Sequence, residues 1–147
     1  MISIEVPIFD RVYQAVRAEY PDCAIYNDRP QSMAKFPAVS VIEQDNTTYT
    51  RARDIEQTEA YSEIMYQIDV FADNQAGGKT LCKKIAAIVD SVFVGLRFTR
   101  MSFSPMPNTE PNVIRYTGRY RAVVSRPVNE GTDSQGLPEL NYYLYRR

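Results

Sequence analysis

Residues 61–95 read YSEIMYQIDVFADNQAGGKTLCKKIAAIVDSVFVG, and the change of rhythm inside this stretch decides the fold class. From Tyr61 to Ala72 the order is that of a strand. Tyr66, Ile68 and Val70 alternate with Gln67, Asp69 and Phe71, the period-two signature of a sheet with unequal faces. Asp73-Asn74-Gln75-Ala76-Gly77-Gly78 then breaks the alternation. Beyond it Leu81, Ile85, Ile88, Val89 and Val92 recur at helical spacing, with Lys83, Lys84 and Asp90 off that face and Gly95 placed as a C-cap.

Working outward from this strand–turn–helix unit, the downstream sequence supplies two more strands. Leu96 to Phe103 is the weaker. Val113 to Ser125 is the stronger: Ile114, Tyr116, Gly118, Tyr120, Ala122 and Val124 share one face, and Arg115, Thr117, Arg119 and Arg121 the other. Pro105, Pro107 and Pro111 punctuate the loop between them.

Upstream, Phe9, Val12, Tyr13, Val16 and Tyr20 mark one face of an N-terminal helix. Pro7 sits where a first-turn proline costs nothing, and Pro21 stops the helix. The apolar piece Cys23–Tyr26 follows, then the turn Asn27-Asp28-Arg29-Pro30 and a strand from Phe36 to Glu43, in which Pro37 belongs at the strand start or on a sheet edge. Gln44 to Thr58 is polar and long for a connection, so it reads as an extended arm or hairpin. The series predicts an α+β fold: an antiparallel or mixed β-sheet with two helices packed on one face, plus an extended arm and a C-terminal tail. Residues 1–125 form the single domain of this reading. Residues 126–147 form a linker and an aromatic end bearing Tyr142, Tyr143 and Tyr145.

Composition narrows the function classes. The chain has no His, which removes the commonest general acid/base and the commonest metal ligand. Cys23 and Cys82 are far apart and form no CxxC pair, so neither structural zinc nor any other cofactor is expected. Both read as small buried hydrophobes in a reducing compartment. Seventeen basic residues stand against eighteen acidic ones, which gives no field for a nucleic-acid backbone or an anionic membrane. No apolar run reaches membrane-spanning length, and the first residues lack the basic and apolar blocks of a signal peptide.

Local motifs add little chemistry. Ala76-Gly77-Gly78-Lys79-Thr80 superficially matches a phosphate-binding loop, but the pattern requires a glycine where Asp73 stands. Asp54, Glu56 and Glu59 lie in the polar arm with no expected pocket to tune them. Ser and Cys nucleophiles lack an imidazole base. An assembly protein fits better than an enzyme. A small-molecule binding module is the alternative of another class, and it would require a concave pocket with convergent polar groups.

The order of segments, with "FPAVSVIEQ", "EIMYQIDVFADN", "GGKTLCKKIAAIVDSVF" and "VIRYTGRYRAVVS" as its landmarks, resembles the tail terminator and tail-completion proteins of long-tailed bacteriophages and prophages. The resemblance spans residues 1 to about 125. It implies subunits that close a ring, typically a hexamer, on the tail tube protein and join the tail to the head–tail connector or stopper protein. It implies a virion location after assembly in the host bacterial cytoplasm, with no catalytic residues and no cofactor. Another neck component, a head-closure or connector adaptor protein, is the alternative within that class. The contact elements expected from the residues are the arm with Tyr49, Arg51, Arg53 and Ile55, the arginine face with Arg115, Arg119 and Arg121, and the C-terminal Tyr142, Tyr143 and Tyr145.

Overall fold

The computed structural model describes residues 1–28, 35–50, 61–75, 77–108, 110–125, 128–132 and 138–139, with side chains through residue 124. Its elements are α1 (Glu5–Glu19), β1 (Ala24–Tyr26), β2 (Ala38–Thr48), β3 (Tyr61–Asp73), α2 (Gly78–Gly95), β4 (Thr99–Met106), β5 (Val113–Ser125), β6 (Val128–Thr132) and β7 (Pro138–Glu139). The first five strands form one mixed sheet in the order β1-β2-β3-β5-β4, with β1 parallel to β2 and the other neighbours antiparallel. β6 and β7 pair separately. The α+β class with two helices on one sheet face is as the sequence predicts.

β3 is the centre. It pairs with β2 from Ala38↔Phe71 to Thr48↔Ser62 and with β5 from Tyr61↔Ser125 to Asp73↔Val113. Its even-numbered side chains Ile64, Tyr66, Ile68, Val70 and Ala72 face the helices and are buried. Against them α1 lays Ile8, Val12 and Val16, and α2 lays Cys82, Ile85, Val89 and Phe93. An aromatic group closes the core. Phe93 stacks on Tyr120 at 4.5 Å, and Phe98 meets both Phe93 and Tyr66 edge-on at 5.2 and 5.9 Å. Such pairs add roughly 0.5–1.5 kcal/mol each beyond the area they bury.

Several local expectations need correction. The buried stripe of α1 runs Ile8, Val12, Val16, continuous with Ile4, whereas Tyr13 is 41% exposed. Tyr13 instead lies beside Phe9 and under the Arg17 guanidinium, which is 5.4 Å from its ring. Gly95 is the last helical residue of α2, not its cap; Leu96 is the cap, and the left-handed residue is Arg97 at φ 64°. Leu96 and Phe98 turn inward to the core, so β4 starts at Thr99 and takes in Pro105.

At the other end of α2, Gly77 has φ 85° and Gly78 passes so close to the Asp73 carbonyl that a Cβ would overlap it. Here glycine is a steric need of the strand-to-helix turn. Gly118 has a similar role, because a Cβ there would lie 2.5 Å from the Phe103 ring that covers it.

The polar segment after Glu43 divides. Gln44 to Thr48 continue β2 past a bulge at Gln44, since Glu43 pairs with Tyr66 and Asp45 with Met65. The extra residue moves Asn46 to the helix side, where its Nδ2 donates to the Ile2 carbonyl at 2.7 Å. Residues 51–60, and with them Arg51, Arg53 and Ile55, lie outside the described residues, as do Tyr142, Tyr143 and Tyr145.

Candidate interaction surfaces

The outer face of the sheet, opposite the helices, has two unlike halves. In the first half Ala38, Ser40, Gln67, Asp69, Phe71 and Thr117 are all buried, Asp69 to 1% exposure. Asp69 organises it. Its Oδ1 accepts from Arg115 Nε at 3.0 Å and from the Thr117 hydroxyl at 2.5 Å, and its Oδ2 accepts from Gln67 Nε2 at 3.2 Å. The cross-strand register places these groups together, because Asp69 is opposite Thr117 and Phe71 is opposite Arg115. The Arg115 guanidinium also lies over the Phe71 ring at 5.8 Å. A buried carboxylate satisfied this fully is structural; removing one partner leaves the other charge stranded.

The second half is open. It carries Arg119, Arg121, Thr99 and Ser102, with Glu63 and Met65 across from the arginines' strand. The three arginines do project to one side of β5, but they are not equivalent. Arg115 is held by Asp69. Arg121 makes a long 3.6 Å pair with Glu63 in which both side chains are partly exposed. Arg119 has no ion-pair partner among the described residues. Tyr49, at the end of β2, is half-buried, and its N–H donates to the Tyr61 carbonyl at 2.9 Å.

The helix side offers concave features. A groove of about 410 Å³ runs between α1 and α2 past Arg11, Ala15, Ala18, Ser91 and Gly95. A smaller slot of about 120 Å³ opens under the first turn of α1. Val6 and Phe9 form its apolar wall; Glu5, Asn27, Glu43 and the Tyr66 hydroxyl form its polar lining. Glu43 accepts from Tyr66 Oη at 3.3 Å and from Asn46 Nδ2 at 3.1 Å. Burial pushes the Glu43 carboxyl above its usual range; the Asn46 hydrogen bond opposes this, and the Glu5 charge adds to it. Burial and the same carboxylates push the Tyr66 phenol far above its ordinary value. Neither Glu5 nor Glu43 pairs with a cation among the described residues.

Sequence reasoning missed both the Asp69 cluster and this slot. The signal for the first is a mid-strand aspartate whose Arg115 and Thr117 partners sit on another strand, and only the register of β3 against β5 reveals it. The second depends on the bulge at Gln44, which brings Glu43 and Asn46 to the same side.

The described residues hold no group of three or more His, Cys, Asp or Glu side chains able to ligate a metal. Cys23 and Cys82 are buried free thiols, each pushed up to about 11 by burial. No helix among the described residues is long and apolar enough to cross a membrane.

No protein-family model and no curated protein matches the sequence. Among solved structures, a chain of the virion of a native gene transfer agent particle is 22% identical, with a TM-score of 0.57 over 78% of this chain and 91% of that one. The sheath/tube terminator of the PVC extracellular contractile injection system is 13% identical at TM-score 0.48, and this chain spans 64% of its length. The tube-terminating cap of the anti-feeding prophage is 14% identical at TM-score 0.44, with 62% of its length spanned. The first of these likenesses establishes the fold: this chain is built on the same α+β framework as that chain of the gene transfer agent virion.

Proposed function

We propose that this protein is a virion structural protein, a tail terminator whose copies close a ring on the end of the tail tube and connect the tail to the head. The observation that carries this reading is the fold shared with a gene transfer agent virion chain over 91% of that chain. The order of segments in the sequence supports it independently. In this reading the protein is not an enzyme, and its work is done by surfaces. Arg119, Arg121 and Tyr49 act as contact residues, together with the arm bearing Arg51, Arg53 and Ile55 and the C-terminal Tyr142, Tyr143 and Tyr145. Ring closure requires heterologous contacts, one patch of each copy meeting a different patch of the next.

The test is assembly. The full chain is mixed with tail tubes made by the same particle, and the tube ends are imaged by electron microscopy. A ring of this protein at one tube end, with unregulated tube length when the gene is deleted, is the expected result. Tubes of normal length and head attachment without the protein would overturn the reading; a ring found only on the head vertex would reassign it to the connector side of the neck.

A further inference from the structure

The slot under α1 and the open arginine patch have opposite needs. Two carboxylates, Glu5 and Glu43, line a slot with an apolar wall and no cation among the described residues. Glu43 is partly desolvated, and its hydrogen bonds from Tyr66 and Asn46 fix its orientation without neutralising its charge. The Oδ1 of Asn46 is buried without a hydrogen-bond partner, so acceptor capacity in this corner exceeds the donors present. A slot of about 120 Å³ that joins an apolar wall to two carboxylates suits one Arg or Lys side chain in size and charge.

On the opposite side of the sheet, Arg119 is exposed on a central strand with no ion-pair partner among the described residues. The slot is formed by α1 and by helix-side residues of β2 and β3, whereas Arg119 points away from the helices. One copy therefore cannot satisfy its own pair.

We infer that the Glu5–Glu43 slot receives a cationic side chain from a second copy of this chain, with Arg119 as its occupant, making a heterologous, ring-propagating contact. This rests on the ring reading above and specifies one of its interfaces. The occupant is a second copy because cation and slot are both present on every copy, are complementary in charge, and lie on opposite sides of the fold. A contact of that kind repeats from copy to copy until the ring closes.

The experiment places one cysteine on the exposed wall of the slot and one beside Arg119. Val6 is a 70% exposed residue of the slot's rim, and Ser102 is exposed and cross-strand from Arg119. Full-length Val6→Cys and Ser102→Cys proteins are assembled on tail tubes separately and together, then treated with a short bis-maleimide. Cross-linked dimer in the mixture and in neither variant alone is the expected result. Glu43→Gln or Arg119→Gln should reduce that product about tenfold or more. The double variant should be no worse than either single one, since the two changes remove the same contact. Rings that form without cross-linking, or that cross-link undiminished in the Gln variants, overturn the inference and leave the ring reading intact. Dimer formed by a single Cys variant alone would show a two-fold contact instead and overturns it too. Absence of any ring on the tubes removes the ring reading and this inference together.

Discussion

The two faces of β3 solve the same problem in different ways. On the helix side, Ile64, Tyr66, Ile68 and Val70 are buried among aliphatic and aromatic neighbours, with the Tyr66 hydroxyl reaching Glu43. On the outer side, Gln67 and Asp69 are just as buried but are held by directed bonds to each other and to Arg115 and Thr117. The first face tolerates shape-preserving exchange of one apolar side chain for another. The second is an all-or-none network, because a missing member leaves a desolvated polar group. Polar alternation along a strand thus marks a difference between faces, not a difference in burial.

Substitutions that break the two faces should separate them. Phe93→Ala opens the helix-side aromatic group and should cost about 3–5 kcal/mol in urea unfolding. Asp69→Ala strands the Arg115 guanidinium and should cost about 3 kcal/mol, whereas Asp69→Ala combined with Arg115→Met should recover part of that loss. Equal instability of the single and double variants would show that the outer network contributes through packing alone.

A smaller effect concerns Glu43, which lies where the helix side reaches its polar edge. Its folded pKa is raised from 4.5 by burial, so the folded chain holds this proton more tightly than the unfolded chain. The stability tied to that group is present below the unfolded value and is lost as pH rises through the folded one. Glu43→Gln should therefore leave acid stability unchanged and raise the melting temperature of the isolated subunit toward neutral pH. A melting temperature lowered at neutral pH would mean that the charged form is favoured in the free subunit.

The smallest effect is expected on the open half of the outer face. Arg119→Gln with Arg121→Gln should change unfolding free energy by about 0.5 kcal/mol or less, since exposed charges contribute little to folding. Arg115 must be left in place in that test. Replacing all three arginines would mix a folding defect from the Asp69 network with any defect in assembly.

Much of this architecture is legible in the sequence because each face advertises its period. The alternation in β3 and β5 and the helical spacing in α2 require only local counting. What escapes is what depends on a partner strand. The Asp69 cluster exists because β3 lies beside β5 in one register, and no window along either strand contains both. The bulge at Gln44 hides the continuation of β2, since one inserted residue inverts the alternation that would reveal a strand. At the N-terminal helix the aromatic residues look like the buried set. Val12 and Val16 are buried as expected, but Ile4 and Ile8 complete the stripe under the helix, and Tyr13 stays at the surface with Arg17. The arginine face is readable as a face, but the commitment of Arg115 to Asp69 is not.

The strand order also dictates a sequence of events during synthesis. β3 is central in the sheet, and its two neighbours reach it at different times. β2 is made first and can pair at once through the hairpin. The other edge of β3 must wait until α2, β4 and finally β5 have emerged, an interval on the order of seconds at ordinary translation speed. During that interval an isoleucine- and valine-bearing strand presents an unpaired edge to its surroundings, the kind of surface that recruits strands from other nascent chains. α2 is the first element made after β3 that packs across it. Its early docking would shield the apolar face while the edge waits, giving this helix a part in productive folding yield as well as in the finished core.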